Sequence, residues 1–441
     1  MCNFFLTNSL TSYLTRQRPL ALVLFLYQLH GCYIPDAEQT RSICWSCAAF
    51  QVPKILSDCM QVTQGLARYG ATITTMALEV LDSSAWDKYA HGAVSLFSMM
   101  PKLQCLQLAC PGTFLDASSD LGQLEMLPHL RVLIMRELTC HSPWQATSLS
   151  SLGTLKKLEH LSIKISHPGP TTDFLPATLT CLTRLSHLDL VCWGDCIDNM
   201  DLGRVLGQIP SLEEVWLGCL YACIPSGLSG LPNLKTAYLG DLDNRNPDGP
   251  IDAPFEDGAL QACPSLTWLV LYCFDAETAT SAQSFSRSLS ALTALQSLTL
   301  QTVDLSCWST FGCTFPSCIG NLFLMECSLT SLPSCLVHHT GLISLDLQHN
   351  PIADLPSGPY LKHLRALDIT CTQVEHAPAA LAEAHSLENL VADGVWCEPF
   401  DTPHKQPHLR PSCIVSDTKR TSCWPGEEGY PVSTYQWFRS S

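Results

Sequence analysis

Apolar residues recur along most of this chain at positions 1, 4 and 6 of a short segment that returns every 22 to 32 residues. The stretch LISLDLQHNPIADLP, which begins at Leu342, shows the pattern clearly. Alternate side chains of a strand face opposite ways, so Leu345 and Leu347 at positions 4 and 6 point to one side while positions 5 and 7 point to the other. The pattern predicts thirteen short strands, in segments that begin at Ile73, Leu103, Leu130, Leu158, Leu185, Leu212, Leu234, Leu266, Leu295, Ile319, Leu342, Leu364 and Leu387.

A single unit of this kind cannot fold alone, because ordering its backbone costs more free energy than its few buried aliphatic side chains contribute. Stacking overcomes the deficit, since each unit buries the faces of its neighbours. Residues 73–395 contain no linker that would divide the array. The sequence therefore predicts one continuous solenoid of thirteen repeats over residues 73–395.

This repeat region resembles the leucine-rich repeat superfamily over about three quarters of the chain. The resemblance implies an α/β fold: a right-handed solenoid with a parallel β-sheet on the concave face and helices or irregular turns on the convex face. From Ile319 onward, repeat endings such as residues 329–333 and 352–356 resemble the LxxLP repeats of Ras-scaffold and plant intracellular Ras-group proteins. The earlier, longer repeats are similar to ribonuclease-inhibitor-like or cysteine-containing types.

Position 9 is where such a repeat turns the chain. In the family that this region resembles, a side-chain amide at this position caps backbone groups in the bend. Asn350 occupies position 9 in the Leu342 repeat, and Cys327 and Thr372 occupy it in the neighbouring repeats. We therefore expect Asn350 to act as a cap.

The flanks of the array are less regular. Residues 1–72 form an N-terminal flank, in which residues 53–69 have the apolar spacing of a capping helix. Residues 16–31 have the order of a signal peptide, with Arg16 and Arg18 followed by an apolar run, and the alternative is a segment of an N-terminal cap. That ten-residue run is too short to span a bilayer, so we expect no transmembrane span. Residues 396–441, rich in Pro and aromatic residues, are expected to form a C-terminal cap or loose tail.

The chain contains 24 cysteines, and many occupy equivalent repeat positions. Cys192 and Cys196 recur as Cys219 and Cys223 one repeat later. Reduced, packed thiols are the favoured interpretation, and disulfides or a thiolate metal site are the alternatives. No Asn begins an N-x-Ser/Thr acceptor, which favours a cytoplasmic location over a secreted one.

Charge and motifs narrow the functional class. The net charge of −16 argues against nucleic acids and anionic membranes as partners. The sequence lacks the phosphate-binding, metalloprotease, hydrolase and kinase motifs, so we expect no enzyme and no cofactor. An acidic insert at residues 241–257 suits either a solvated loop or a calcium loop, although its ligand spacing departs from the calcium motif.

The outward positions of the central strands carry the candidate binding residues. Aromatic side chains that no core requires are typical anchors of protein interfaces, and neighbouring carboxylates favour a basic partner. The aromatic residues are Trp216, Tyr238, Trp268 and Tyr272, and the carboxylates are Glu213, Glu214, Asp241 and Asp189. The alternative interpretation is a cross-strand aromatic ladder without a binding role.

These residues predict a protein-binding scaffold or recognition protein, and the LxxLP resemblance implies intracellular signalling. Two alternatives remain open at this point. One is a secreted or surface recognition module with disulfides, and the other, by fold analogy alone, is a substrate-recognition subunit of a ubiquitin ligase.

Overall fold

The strands of this chain stack in sequence order into one parallel sheet. The computed structural model describes residues 47–52, 70–80, 97–109, 121–139, 152–166, 177–193, 199–218, 226–240, 260, 263–272, 279–306, 308, 314–374 and 378–392. Within these residues the sheet has fourteen strands, and each pairs with the strands before and after it in the chain, the first and the last having one partner each. The strands are β1 (Cys47–Val52), β2 (Thr75–Val80), β3 (Cys105–Ala109), β4 (Val132–Thr139), β5 (His160–Ser166), β6 (His187–Trp193), β7 (Glu214–Gly218), β8 (Thr236–Gly240), β9 (Trp268–Tyr272), β10 (Ser297–Gln301), β11 (Asn321–Met325), β12 (Ser344–Asp346), β13 (Ala366–Asp368) and β14 (Asn389–Val391).

The thirteen predicted segments lead into strands β2 to β14, one strand each. Positions 1, 4 and 6 form a continuous leucine core, in which Leu342, Leu345 and Leu347 are at most 1% exposed. The alternation of a strand is the cause, because it places positions 4 and 6 on the same side. The predicted strand positions are therefore confirmed.

The first strand was missed by the repeat pattern. β1 lies inside the segment interpreted as an N-terminal flank, and it pairs in parallel with β2, with Ala48 opposite Met76 and Phe50 opposite Leu78. This register places Ala48 and Phe50 at positions 4 and 6 of a further segment. The sheet thus begins before residue 73, while the predicted capping helix at residues 53–69 lies outside the described residues.

Short helical segments connect the strands on the other side of the core. The α-helices are α1 (Asn199–Leu206), α2 (Ala279–Ser290) and α3 (Ser334–Val337), and the 3₁₀ helices are Gly70–Thr72, Leu121–Met126, Ala177–Cys181, Ser226–Gly230, Pro359–His363 and Ala379–Glu383. Leucines spaced by three drive this geometry, as in the run Leu179, Leu182 and Leu185. All three are fully buried, and each successive N–H donates to the carbonyl three residues earlier, at 2.9 and 3.0 Å. None of the helices in the described ranges is long and apolar enough to cross a bilayer.

Asn350 caps the turn as the repeat pattern predicts. Its side chain is 1% exposed, and its Oδ1 accepts hydrogen bonds from the N–H groups of Cys327 and Leu329, both at 3.0 Å. Its Nδ2 donates to the carbonyls of Leu324 at 2.6 Å and Leu347 at 3.0 Å. One amide therefore joins the turn of its own repeat to the turn of the preceding repeat.

The same turn requires a left-handed residue just before the cap. His349 has a φ of 57°, and the equivalent position 8 of three other repeats holds Thr302, Glu326 and Cys371 at a φ of 55°. Such a conformation costs a residue with a Cβ about 1–2 kcal/mol. It recurs in four successive repeats because the turn hydrogen bonds offset its cost.

The described cysteines include both reduced and oxidised residues. The reduced ones are Cys105, Cys181, Cys263, Cys318, Cys327 and Cys371. Cys263 is buried, which raises the pKa of its thiol to about 11, and its Sγ donates to the Leu228 carbonyl at 3.2 Å. Cys335 is disulfide-bonded. The repeated pairs that were weighed as disulfides or a metal site lie outside the description, since Cys196, Cys219 and Cys223 are not among the described residues.

Candidate functional site

The predicted binding residues that belong to described strands lie on the inner face, which we define as the side of the sheet that faces away from the leucine core. Strand register divides them among three rows rather than one. Asp189, Trp216 and Tyr238 are in register on β6, β7 and β8. The same row continues to Val270 on β9. Trp268 and Tyr272 lie two residues before and after Val270, so they belong to the two adjacent rows. Asp241 lies outside the described residues.

Trp216 and Tyr238 form the centre of this surface. Their rings stack with centroids 4.8 Å apart and an angle of 13° between the planes. Both side chains are only half-buried, so the stack remains accessible from the inner face. The two rings therefore contact each other across neighbouring strands, and this stacking holds them in one defined arrangement.

A glycine determines where the Tyr238 ring lies. A Cβ built at Gly240 would stand 2.5 Å from Cε1 of Tyr238, closer than real atoms approach. Gly218 of β7 is the neighbour of Gly240 in register, and a Cβ built there would meet the Val191 side chain at 3.2 Å. Gly240 therefore gives the tyrosine ring room to lie along the sheet beside Trp216.

The two aromatic residues of β9 extend the surface. Trp268 and Tyr272 are half-buried, and Val270 between them is 8% exposed. With Trp216 and Tyr238 they form the central patch, a name that we use below for these four residues.

The carboxylates beside the central patch already bind cations and donors of this chain. Asp189 accepts a hydrogen bond from Ser162 at 2.8 Å and lies 3.9 Å from Nζ of Lys164. Glu213 pairs with Lys235 at 2.7 Å. The attraction that these two groups offer to a basic partner is therefore smaller than the sequence suggested, and a basic partner remains a prediction.

Glu214 pairs with a histidine that sequence reasoning missed. Nε2 of His187 lies 3.5 Å from the Glu214 carboxylate, and its Nδ1 lies 2.7 Å from Oγ of Ser186. The His187 ring also stacks on His160, with centroids 5.6 Å apart and an angle of 18°. The available signal was that both histidines occupy position 3 of successive repeats.

Neighbouring carboxylates favour the protonated form of His187. The hydrogen bond to Glu214 raises the pKa of His187 most, and the charges of Glu214, Glu213 and Glu159 act in the same direction. Burial opposes them by disfavouring the charged ring. The net effect is a pKa of His187 above the ordinary histidine value.

The surface does not continue evenly toward the first strands. Cys105, Val132 and Ile134 on the inner face of β3 and β4 form a small buried apolar cluster separate from the main core, and each is 6–7% exposed. The half-buried aromatic side chains of the central strands are therefore the more accessible part. No cluster of three or more metal-ligating side chains occurs among the described residues, and the acidic insert 241–257 lies outside them.

Comparisons with known proteins are limited to structure. No family model matches this sequence, and no curated protein matches it. A leucine-rich repeat protein of Leptospira interrogans is 15% identical over 78% of this chain and 90% of its own, with a TM-score of 0.45. The leucine-rich repeat domain of APL1B is 15% identical over 83% of this chain and 94% of that domain, with a TM-score of 0.38. Internalin C2 of Listeria monocytogenes is 17% identical over 53% of this chain and 89% of its own, with a TM-score of 0.33.

The fold itself is decided by features of this chain. Repeats in phase, one parallel strand per repeat, a continuous leucine core and the Asn350 cap occur together. The fold is a leucine-rich-repeat solenoid. In such a solenoid each strand contributes three outward side chains, and neighbouring repeats align these side chains into rows. The central patch is a segment of three such rows.

Proposed function

We propose that this protein is a non-enzymatic scaffold or recognition protein that binds a protein partner on the inner face, at the central patch. The observation that carries the proposal is the half-buried Trp216 and Tyr238 stack on a sheet face that the leucine core does not need. Aromatic anchors with little freedom to move lose little entropy on binding. Asp189, Glu213 and Glu214 are the described carboxylates of the proposed surface, and Asp241, outside the described residues, stays a predicted member of it.

The dimensions of the sheet support a macromolecular partner. Fourteen strands at about 4.8 Å spacing give an inner face about 60 Å long. This length accommodates a globular domain or an extended peptide, whereas an open sheet face would enclose a small molecule poorly. The resemblance of the last repeats to LxxLP types supports a role in intracellular signalling.

The experiment uses the purified wild type, a double variant and a control variant as baits, and cross-linking identifies the partner protein that each one captures. We expect the wild type to capture a partner that the Trp216→Ala, Tyr238→Ala double variant loses. Phe323→Ala is the matched control, because Phe323 is a half-buried inner-face aromatic residue outside the central patch. Retained capture by the double variant would contradict the proposal.

Loss of folding must be separated from loss of binding. A stacked aromatic pair contributes about 0.5–1.5 kcal/mol beyond its buried area. The double variant should therefore melt below the wild type, because it loses this stacking and also the apolar area that the two half-buried rings bury, and a collapsed melt would assign the lost capture to unfolding. If the double variant and the Phe323→Ala control have equal melting temperatures, a difference in partner capture reports binding and not folding.

A second candidate, a secreted or surface recognition module, is favoured by one observation. Cys335 is disulfide-bonded, and structural disulfides persist mainly in oxidising compartments. A thiol titration of freshly extracted, denatured protein distinguishes the two locations. A cytoplasmic protein should yield all 24 thiols, and a secreted one should yield clearly fewer.

A further inference from the structure

Two carboxylates meet on the inner face of the last repeats, away from the central patch. Asp346 on β12 and Asp368 on β13 are directly opposite each other in the parallel register. One side-chain amide joins them, because Nε2 of Gln348 donates to Oδ2 of Asp346 at 3.1 Å and to Oδ2 of Asp368 at 2.8 Å. A single donor nitrogen thus serves two acidic groups on neighbouring strands.

The two carboxylates have different surroundings. Asp346 is 6% exposed. Asp368 is half-buried and also accepts hydrogen bonds from the N–H and Oγ1 of Thr370, at 2.9 and 2.7 Å. Burial disfavours the charged form of a carboxyl group, whereas several donors favour it. Asp346 is therefore the member of the pair that holds a proton more readily.

The groups that face Asp346 reinforce this difference. On the β11 side its neighbour in register is the uncharged Phe323, and on the β13 side it is the Asp368 carboxylate. Burial raises the pKa of the Cys327 thiol most, and the charges of the carboxylates Glu326, Asp304 and Asp346 act in the same direction. Burial and then the charge of Asp368 raise the pKa of Asp346 to about 7, and the Gln348 hydrogen bonds oppose this only in part.

We propose that this pair of neighbouring carboxyl groups binds one proton, on the buried Asp346, and that its release is a pH-sensitive switch in the last repeats. With the proton bound, the pair carries one negative charge and a carboxylic acid that can donate a hydrogen bond. Without it, two negative charges stand on adjacent strands at about the strand spacing of 4.8 Å. Repulsion and burial of the second charge then destabilise this part of the sheet.

The switch is connected to the turn that follows β12. Oδ1 of Asp346 accepts the backbone N–H of Gln348 at 3.0 Å. The Gln348 carbonyl in turn accepts the N–H of Glu326 at 3.0 Å and Nδ2 of Asn350 at 3.1 Å. Any displacement of the carboxylate pair therefore acts on Gln348, two residues before the Asn350 cap, and release of the proton should loosen the turns around β11, β12 and β13.

The sign of the stability change follows from proton linkage. Because the pKa of Asp346 is raised in the folded state, the folded chain binds more protons than the unfolded chain between about pH 4 and about pH 7. Stability should be higher at the lower end of this window and should fall as the pH rises toward about 7. The change should then level off, since both states are ionised above that pH.

The test compares pH profiles of unfolding for the full-length wild type, Asp346→Asn and Asp354→Asn. Asp354 is an exposed carboxylate of the same repeat and serves as the matched control. We expect the unfolding midpoint of the wild type and the control to fall by a few degrees from about pH 5 to about pH 7. Asp346→Asn should lack this contribution and should melt above the wild type at about pH 7. Identical profiles for Asp346→Asn and the control would overturn the proposal.

A direct measurement decides the question even if a variant fails to fold. Infrared spectroscopy of the folded wild type, with aspartate labelled by carbon-13, reports protonated aspartyl groups through their acid carbonyl band. We expect at least one such group at about pH 6 and its loss by about pH 8. Absence of the band at about pH 6 would overturn the proposal. The measurement needs no binding partner, so it is independent of the proposed function.

Discussion

The Tyr238 ring lies over Gly240 so closely that a Cβ at position 240 would stand 2.5 Å from its Cε1 atom. The same ring stacks on Trp216, at a centroid distance of 4.8 Å. Because Gly240 has no side chain, the Tyr238 ring can occupy the space above it and stack on Trp216. This arrangement connects the local sequence of β8 to the surface that we propose for partner binding.

Replacing this glycine should disturb the stack without disturbing the core. Gly240→Ala should displace the Tyr238 ring and lower the free energy of unfolding by about 1–3 kcal/mol, as overpacked sites do. Partner capture by the variant should weaken as well. Chemical denaturation measures the first effect and the pull-down measures the second.

Gly320→Ala provides the comparison for this prediction. A Cβ at Gly320 would meet its nearest atom, Cδ1 of Ile343, at an ordinary contact distance of 3.4 Å. We expect this variant to bind its partner like the wild type. If Gly240→Ala also binds normally with an unshifted melt, the ring does not depend on the glycine.

Removing the Asn350 amide should destabilise two repeats together. Asn350→Ala leaves the buried N–H groups of Cys327 and Leu329 without their acceptor, and each such group costs about 1–3 kcal/mol. We expect a loss of about 2–6 kcal/mol in the free energy of unfolding, measured by denaturant titration. Asn321→Ala, at a half-buried inner-face position, should change it by less than about 0.5 kcal/mol. Equal losses for the two variants would be inconsistent with a capping role.

The histidine beside the central patch should titrate at an elevated pH. Glu214→Gln removes the largest cause of the raised pKa of His187, so the midpoint of that histidine should fall. Nuclear magnetic resonance of the imidazole protons measures it, and His187→Gln identifies the signal. Glu125→Gln, an exposed carboxylate elsewhere in the chain, should leave the midpoint unchanged.

The His187 and Glu214 pair should also make the free energy of unfolding depend on pH. Because the pKa of His187 is raised on folding, its contribution is complete below the ordinary histidine value of 6.5 and is lost as the pH rises through the folded value. Glu214→Gln should therefore reduce the loss of stability across this interval. A pH profile that matches the wild type would show that the ion pair does not contribute.

Core substitutions should depend on the number of neighbouring repeats. Leu345→Ala on β12 creates a cavity between two repeats and should cost about 2–5 kcal/mol. Leu390→Ala on β14 has only one neighbouring strand among the described residues, so its cost should be smaller. Hydrogen exchange should show that the Leu345 variant opens first around β11 to β13. A larger loss for Leu390→Ala would contradict nearest-neighbour coupling.

Local sequence was sufficient to place most of the sheet. Leu298 and Leu300 are buried because they alternate within one strand, and this alternation is visible without any distant contact. The Asn350 cap was predictable for the same reason, since it acts within one turn and its neighbour. β1 was missed because Ala48 and Phe50 replace the leucines of the pattern, and only pairing with β2 reveals the strand.

The sequence alone determined the repeat, the buried leucine positions, the outward positions and the cap, because each depends on spacing within a single unit. Tertiary structure decided which outward side chains become neighbours: Trp216 with Tyr238, His160 with His187, and Asp346 with Asp368. It also showed that Glu213 and Asp189 already have cationic neighbours in this chain. These pairs join residues 22 to 27 positions apart in the chain. Their contacts depend on the register between parallel strands, which packing of whole repeats sets and which no single repeat contains.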